Sequence, residues 1–217
     1  MKTKRTLLVA GIASAMMLSA TLATAAGETL NLTDLSGTVR IHQGLPCGQT
    51  LDMTATIQEG LLQITPLNTR DGGVLFDLTR LDMFLTPFSV RGDCRGIRAT
   101  ADFREIGLSL VSAVRFPGEE TGPLGSRLYR FTIPKERFRI FESTLNSAQV
   151  PQPEMGYRRP SEDVTGLIDL NRQTVQLHVV LTNEAHFRAG CVKKRCKIDE
   201  THTGTQTADI LAATTPR

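Results

Sequence analysis

The stretch Val164–Thr182, VTGLIDLNRQTVQLHVVLT, decides the fold class. In its second half Val175, Leu177, Val179 and Leu181 share one side, while Gln176, His178 and Val180 share the other. Side chains of an extended chain point to opposite faces in turn, so this alternation reads as a strand with one face buried. Val164–Leu170 precedes it, and the polar Asn171–Gln173 between the two segments predicts a β-hairpin. His178 falls opposite the apolar side, which directs it to water or, in a barrel, to the other environment.

The same period recurs upstream. Val39 and Ile41 alternate with Arg40 and His42, and Met53, Ala55 and Ile57 alternate with Thr54, Thr56 and Gln58. Val74, Phe76 and Leu78 open a strand that loses phase near Leu81 before Pro87. The alternation of Ile97, Ala99, Ala101 and Phe103 restarts one step out of phase at Ile106 and continues to Phe116, a slip that reads as a bulge or tight turn. Leu128–Ile133 and Phe138–Phe141 read as short strands about a reversal at Pro134–Arg137. Many short strands, Gly/Pro-rich turns and no long amphipathic helix predict an all-β fold, an antiparallel β-sandwich or β-barrel in a single domain. Strand pattern leaves sandwich and barrel open. Residues 143–163, with PQPEMGYRRP, read as a long surface excursion, and 203–217 as a flexible C-terminal tail behind a β domain spanning 26–202.

The first 25 residues have the three parts of a signal peptide: Lys2, Lys4 and Arg5, an apolar run from Leu7 to about Leu18, and Ala23-Thr24-Ala25 at a cleavage position. The sequence thus predicts an exported product, periplasmic or secreted, with no transmembrane anchor in the mature chain. Without that segment 22 Lys and Arg stand against 22 Asp and Glu, so the overall basic charge belongs to the leader. A neutral mature chain without tryptophan speaks against nucleic acid as a partner and against aromatic sugar platforms.

Four cysteines in an exported chain read first as two disulfides, for which three pairings exist. The spacing favours a local Cys191–Cys196 bridge and a long-range Cys47–Cys94 bridge. Lys193, Lys194, Arg195 and Lys197 surround the local pair and are the candidates for contact with an anionic surface, against the plainer reading of a solvated turn. His186, Asp199, Glu200 and His202 are weak metal-ligand candidates of suitable type but without a signature spacing. Four intervening residues depart from the two-residue spacing of redox couples, and nothing in the sequence calls for a cofactor.

No nucleophile elbow accompanies the four histidines, and no catalytic residue is assigned. Enzyme status stays open on these grounds. The leading expectation is an exported, soluble, non-catalytic β domain that binds an envelope or extracellular protein through its surface. One alternative is a lipocalin-like carrier holding a small apolar ligand in a barrel interior. Another is a secreted enzyme or metal-binding protein that uses the histidines and carboxylates.

Overall fold

The computed structural model describes residues 25–69, 71–123, 125–146, 154–190, 192, 193, 195 and 197–214. Among these run fourteen strands: β1 (Ala25–Ala26), β2 (Leu30–Leu32), β3 (Asp34–Leu45), β4 (Gln49–Asn68), β5 (Val74–Leu85), β6 (Phe88–Cys94), β7 (Ile97–Leu110), β8 (Val114–Glu120), β9 (Leu128–Ile133), β10 (Phe138–Asn146), β11 (Glu154–Arg158), β12 (Val164–Asp169), β13 (Thr174–Ala189) and β14 (Ile198–Ala213). The all-β expectation holds. Of the segment read as a signal peptide, residues 1–24 lie outside the described residues.

Hydrogen bonding closes a ring of eight strands in the order β3, β4, β5, β8, β9, β12, β13, β14. The 20-residue β4 makes closure possible, pairing with β3 through Gln49–Thr56 and with β5 through Ile57–Asn68. Beyond the ring, β7 takes up the far end of β5 and carries β6 and β10, with β11 on β10. This layer packs over β13. The hairpin read from Val164–Thr182 is present as β12 and β13, with Thr165 opposite His178 and Asp169 opposite Thr174.

Both phase slips in the sequence are bulges. Opposite β4 the register passes from Arg80 to Leu78 and leaves Thr79 unpaired, so that burial moves from Phe76 and Leu78 to Leu81, Met83 and Leu85. Opposite β10 it passes from Glu105 to Phe103 and skips Arg104. The run from Ile106 to Phe116 is not one strand, because β7 ends at Leu110 and β8 begins at Val114.

Two boundary expectations need correction. Residues 203–213 are not a flexible tail: they lie in β14, paired along its length with β13 and from Gly204 to Ala213 with β3. Gly204, Gln206, Ala208, Ile210 and Ala212 point inward and are buried. The excursion at 143–163 is in part regular, since β10 runs through Asn146 and pairs with β11; residues 147–153 lie outside the described residues.

A continuous apolar core fills the inside, with Phe76, Phe103, Phe138 and Phe187 at 1% exposure or less. Phe76 packs on Phe116 and Tyr129 at centroid distances of 5.8 and 5.4 Å, and Phe116 on Phe131 at 5.0 Å. The apolar space between β3, β13 and β14 on one side and β5, β7 and β10 on the other amounts to about 30 Å³. A small-ligand site needs roughly ten times more. Outward positions carry Arg40, His42, Asp52, Thr54, Thr182, Glu184, Thr205, Thr207 and Asp209, none of them buried.

Candidate functional site

Cys47 and Cys94 form a disulfide with Cα atoms 5.6 Å apart, which joins the turn at Pro46–Gly48 to the end of β6. The long-range bridge of the sequence reading is therefore present. Cys191 and Cys196 lie outside the described residues, as does Lys194 of the basic cluster.

The rest of that cluster sits at the tip of the β13–β14 hairpin. Pairing of β14 with β3 ends at Gly204, whereas β13 and β14 stay paired out to Ala189 and Ile198. Ala185, Phe187, Ala189 and Ile198 are buried, so the inner side of this extension is backed by the core. At the apex Val192 and Arg195 exchange both backbone hydrogen bonds, at 2.8 and 2.9 Å, and Lys193 adopts φ 45° to close the turn. Val192 is 69% exposed. An open depression of about 570 Å³ is lined by Gly190, Val192, Lys193, Arg195 and Lys197. Among the described residues none of these three cations forms an ion pair.

The proposed metal ligands do not converge. His186 hydrogen-bonds Asp199 on the outer side of the hairpin, whereas His202 contacts Glu200 at 2.8 Å on the inner side, where it meets the Phe187 ring edge-on. The reason is the period of two: His186 pairs with Thr201, and His202 with Ala185, one step out of phase. Among the described residues no group of three or more His, Cys, Asp or Glu side chains is placed to hold a metal ion.

A second polar arrangement covers the outer face of β4, β3, β14 and β13. His178 Nδ1 and Asp209 Oδ1 are 2.7 Å apart across adjacent strands, and Arg40 donates to Asp209 Oδ2 at 2.9 Å. The bond to His178 holds the Asp209 carboxyl below the usual carboxylate range; partial burial opposes it and Arg40 reinforces it. Next along the face, His42 Nδ1 lies 2.7 Å from Asp52 Oδ1. A shallow groove of about 440 Å³ runs past His178 and Asp209 to Arg130 and Ser36. Among the described residues no hydroxyl or thiol hydrogen-bonds His178. Asp209 and Arg40 escaped sequence reasoning because only strand register brings Asp209 to His178, 31 positions away, and Arg40 to Asp209, 169 positions away.

Fold and surface together describe an all-β domain with a packed interior and its accessible chemistry on the outside. No family model and no curated protein sequence matches the chain. Among solved structures the chain is similar to Ail, the attachment invasion locus protein of Yersinia pestis, solved in complex with the heparin analogue sucrose octasulfate. That similarity has 11% identity and a TM-score of 0.33 over 84% of this chain and 97% of Ail.

Proposed function

We propose that the chain is an exported β domain, periplasmic or secreted, that binds an anionic envelope or extracellular partner through Lys193, Lys194, Arg195 and Lys197. The observation that carries this reading is the hairpin tip: Lys193, Arg195 and Lys197 line one depression around exposed Val192 without ion pairs among the described residues. Elsewhere Arg40, Arg80 and Arg115 spend their charge on neighbouring carboxylates. Paired strands behind the turn limit the ordering entropy lost on contact. Each Lys or Arg near an anionic surface contributes about 1 kcal/mol, so three amount to about 3 kcal/mol and roughly a hundredfold in affinity.

The test compares native protein with the Lys193→Gln/Arg195→Gln/Lys197→Gln variant on vesicles rich in anionic phospholipid and on sulfated polysaccharide beads, across a salt series. Loss of salt-sensitive retention by the variant supports the reading, and the surface that retains native protein names the partner class. Equal retention of both proteins, or none by either, refutes it. Thiol titration of the exported protein belongs to the same proposal: Cys191 and Cys196 are expected to be oxidised.

A further inference from the structure

The inward face of β3, β14 and β13 carries three buried amides, Gln43, Asn183 and Gln206, at 0%, 0% and 2% exposure. Gln43, Gly204 and Asn183 occupy one register row across the three strands. The two amides meet over the glycine, where Asn183 Nδ2 donates to Gln43 Oε1 at 3.0 Å. Gln43 Nε2 in turn donates to the carbonyls of Gly44 and His202, each at 3.1 Å. Among the described residues Asn183 Oδ1 and Gln206 Nε2 have no hydrogen-bond partner.

We infer that one water molecule is a fixed part of this fold, bound between Asn183 Oδ1 and Gln206 Nε2. The two orphaned atoms are complementary, one an acceptor and the other a donor. A single molecule that accepts from the amide N–H and donates to the amide carbonyl satisfies both, and water does this at the smallest volume. Gln206 lies two positions beyond Gly204 on β14 and is therefore the diagonal neighbour of Asn183 on the same face. Diagonal residues are separated by about 7–8 Å, a span that two converging side chains and a pair of hydrogen bonds of about 2.9 Å can fill.

Left without a partner, each of the two buried polar atoms costs about tenfold or more in the folding equilibrium. The water joins the amide row to β14 just inside the point where β3 ends its pairing and the hairpin continues toward the basic tip.

Two measurements test this on the full mature chain. A crystal structure of the wild-type protein at about 1.5 Å resolution should show a solvent peak within hydrogen-bond distance of both side chains. A direct Asn183–Gln206 bond, or no peak there, overturns the inference. Replacement Gln206→Leu keeps the volume and removes the donor, so it should lower the folding equilibrium about tenfold by stranding Asn183. Unchanged or raised stability overturns the inference, since an uncompensated buried amide is better replaced by leucine. If that variant does not fold, the wild-type density decides.

Discussion

Replacing Gly204 by alanine should destabilise the protein far more than an added methyl group in a strand ordinarily does. Gly204 sits between Gln43 and Asn183, and a Cβ built there falls within 2.3 Å of Gln43 Oε1 and 2.5 Å of Asn183 Oδ1. Both atoms are buried, so neither amide can swing into water. Losing the Asn183–Gln43 bond costs about 1 kcal/mol, and stranding its buried ends about 1–3 kcal/mol more. Reduced freedom of the unfolded chain returns about 0.4–1 kcal/mol. The net expectation is a loss of about 1–3.5 kcal/mol, read from urea unfolding as a lower midpoint at unchanged slope. In a Gln43→Ala/Asn183→Ala background the same substitution should cost little, because the atoms it strikes are gone. A Gly204→Ala change within about 0.5 kcal/mol of wild type, or an equal penalty in both backgrounds, refutes the amide-row reasoning.

Removing the Cys47–Cys94 bridge by Cys47→Ser/Cys94→Ser frees a loop whose ends are 47 positions apart; loop-closure entropy puts the loss at about 4 kcal/mol, and a change under about 1 kcal/mol would discount the bridge. Phe76→Ala removes the ring that contacts both Phe116 and Tyr129, and should cost about 3–5 kcal/mol in chemical unfolding. Arg115 donates to both oxygens of Asp77 at 2.7 Å, and this bond holds the Asp77 carboxyl below its ordinary range. A depressed carboxyl stabilises the fold above its unfolded pKa of about 3.9 and loses that effect as pH falls through the folded value. The stability gap between wild type and Asp77→Asn should therefore narrow below about pH 4, and a gap independent of pH contradicts this.

Alternation made β12, β13 and the cores of β3 and β5 legible, because large aliphatic residues such as Val175 and Leu177 mark the buried phase. It failed in β14 for a physical reason. There the buried phase reads Gly204, Gln206, Ala208, Ile210 and Ala212, while Leu211 stands in the exposed phase at 39% exposure. A central strand facing an amide row has inward residues too small and polar to register as a hydrophobic run. The threonines at 203, 205 and 207 did carry the period, and β-branched residues on an exposed face are a strand signal in their own right. Ring closure was not legible, since it depends on β4 changing partners midway, between Thr56 and Ile57. The basic tip was visible as a run of residues. Its missing counter-charges became apparent only when Asp199 and Glu200 were found turned to His186 and His202.

The surface-binding reading is tested most directly by locating the contact. Backbone amide signals of the labelled mature protein can be followed by NMR during titration with small vesicles rich in anionic phospholipid, and in parallel with a soluble sulfated oligosaccharide. The largest changes are expected at Gly190, Val192, Lys193, Arg195 and Lys197, fading as salt is raised. Changes centred instead on His178, Asp209 and Arg40, or no change with either probe, would contradict it.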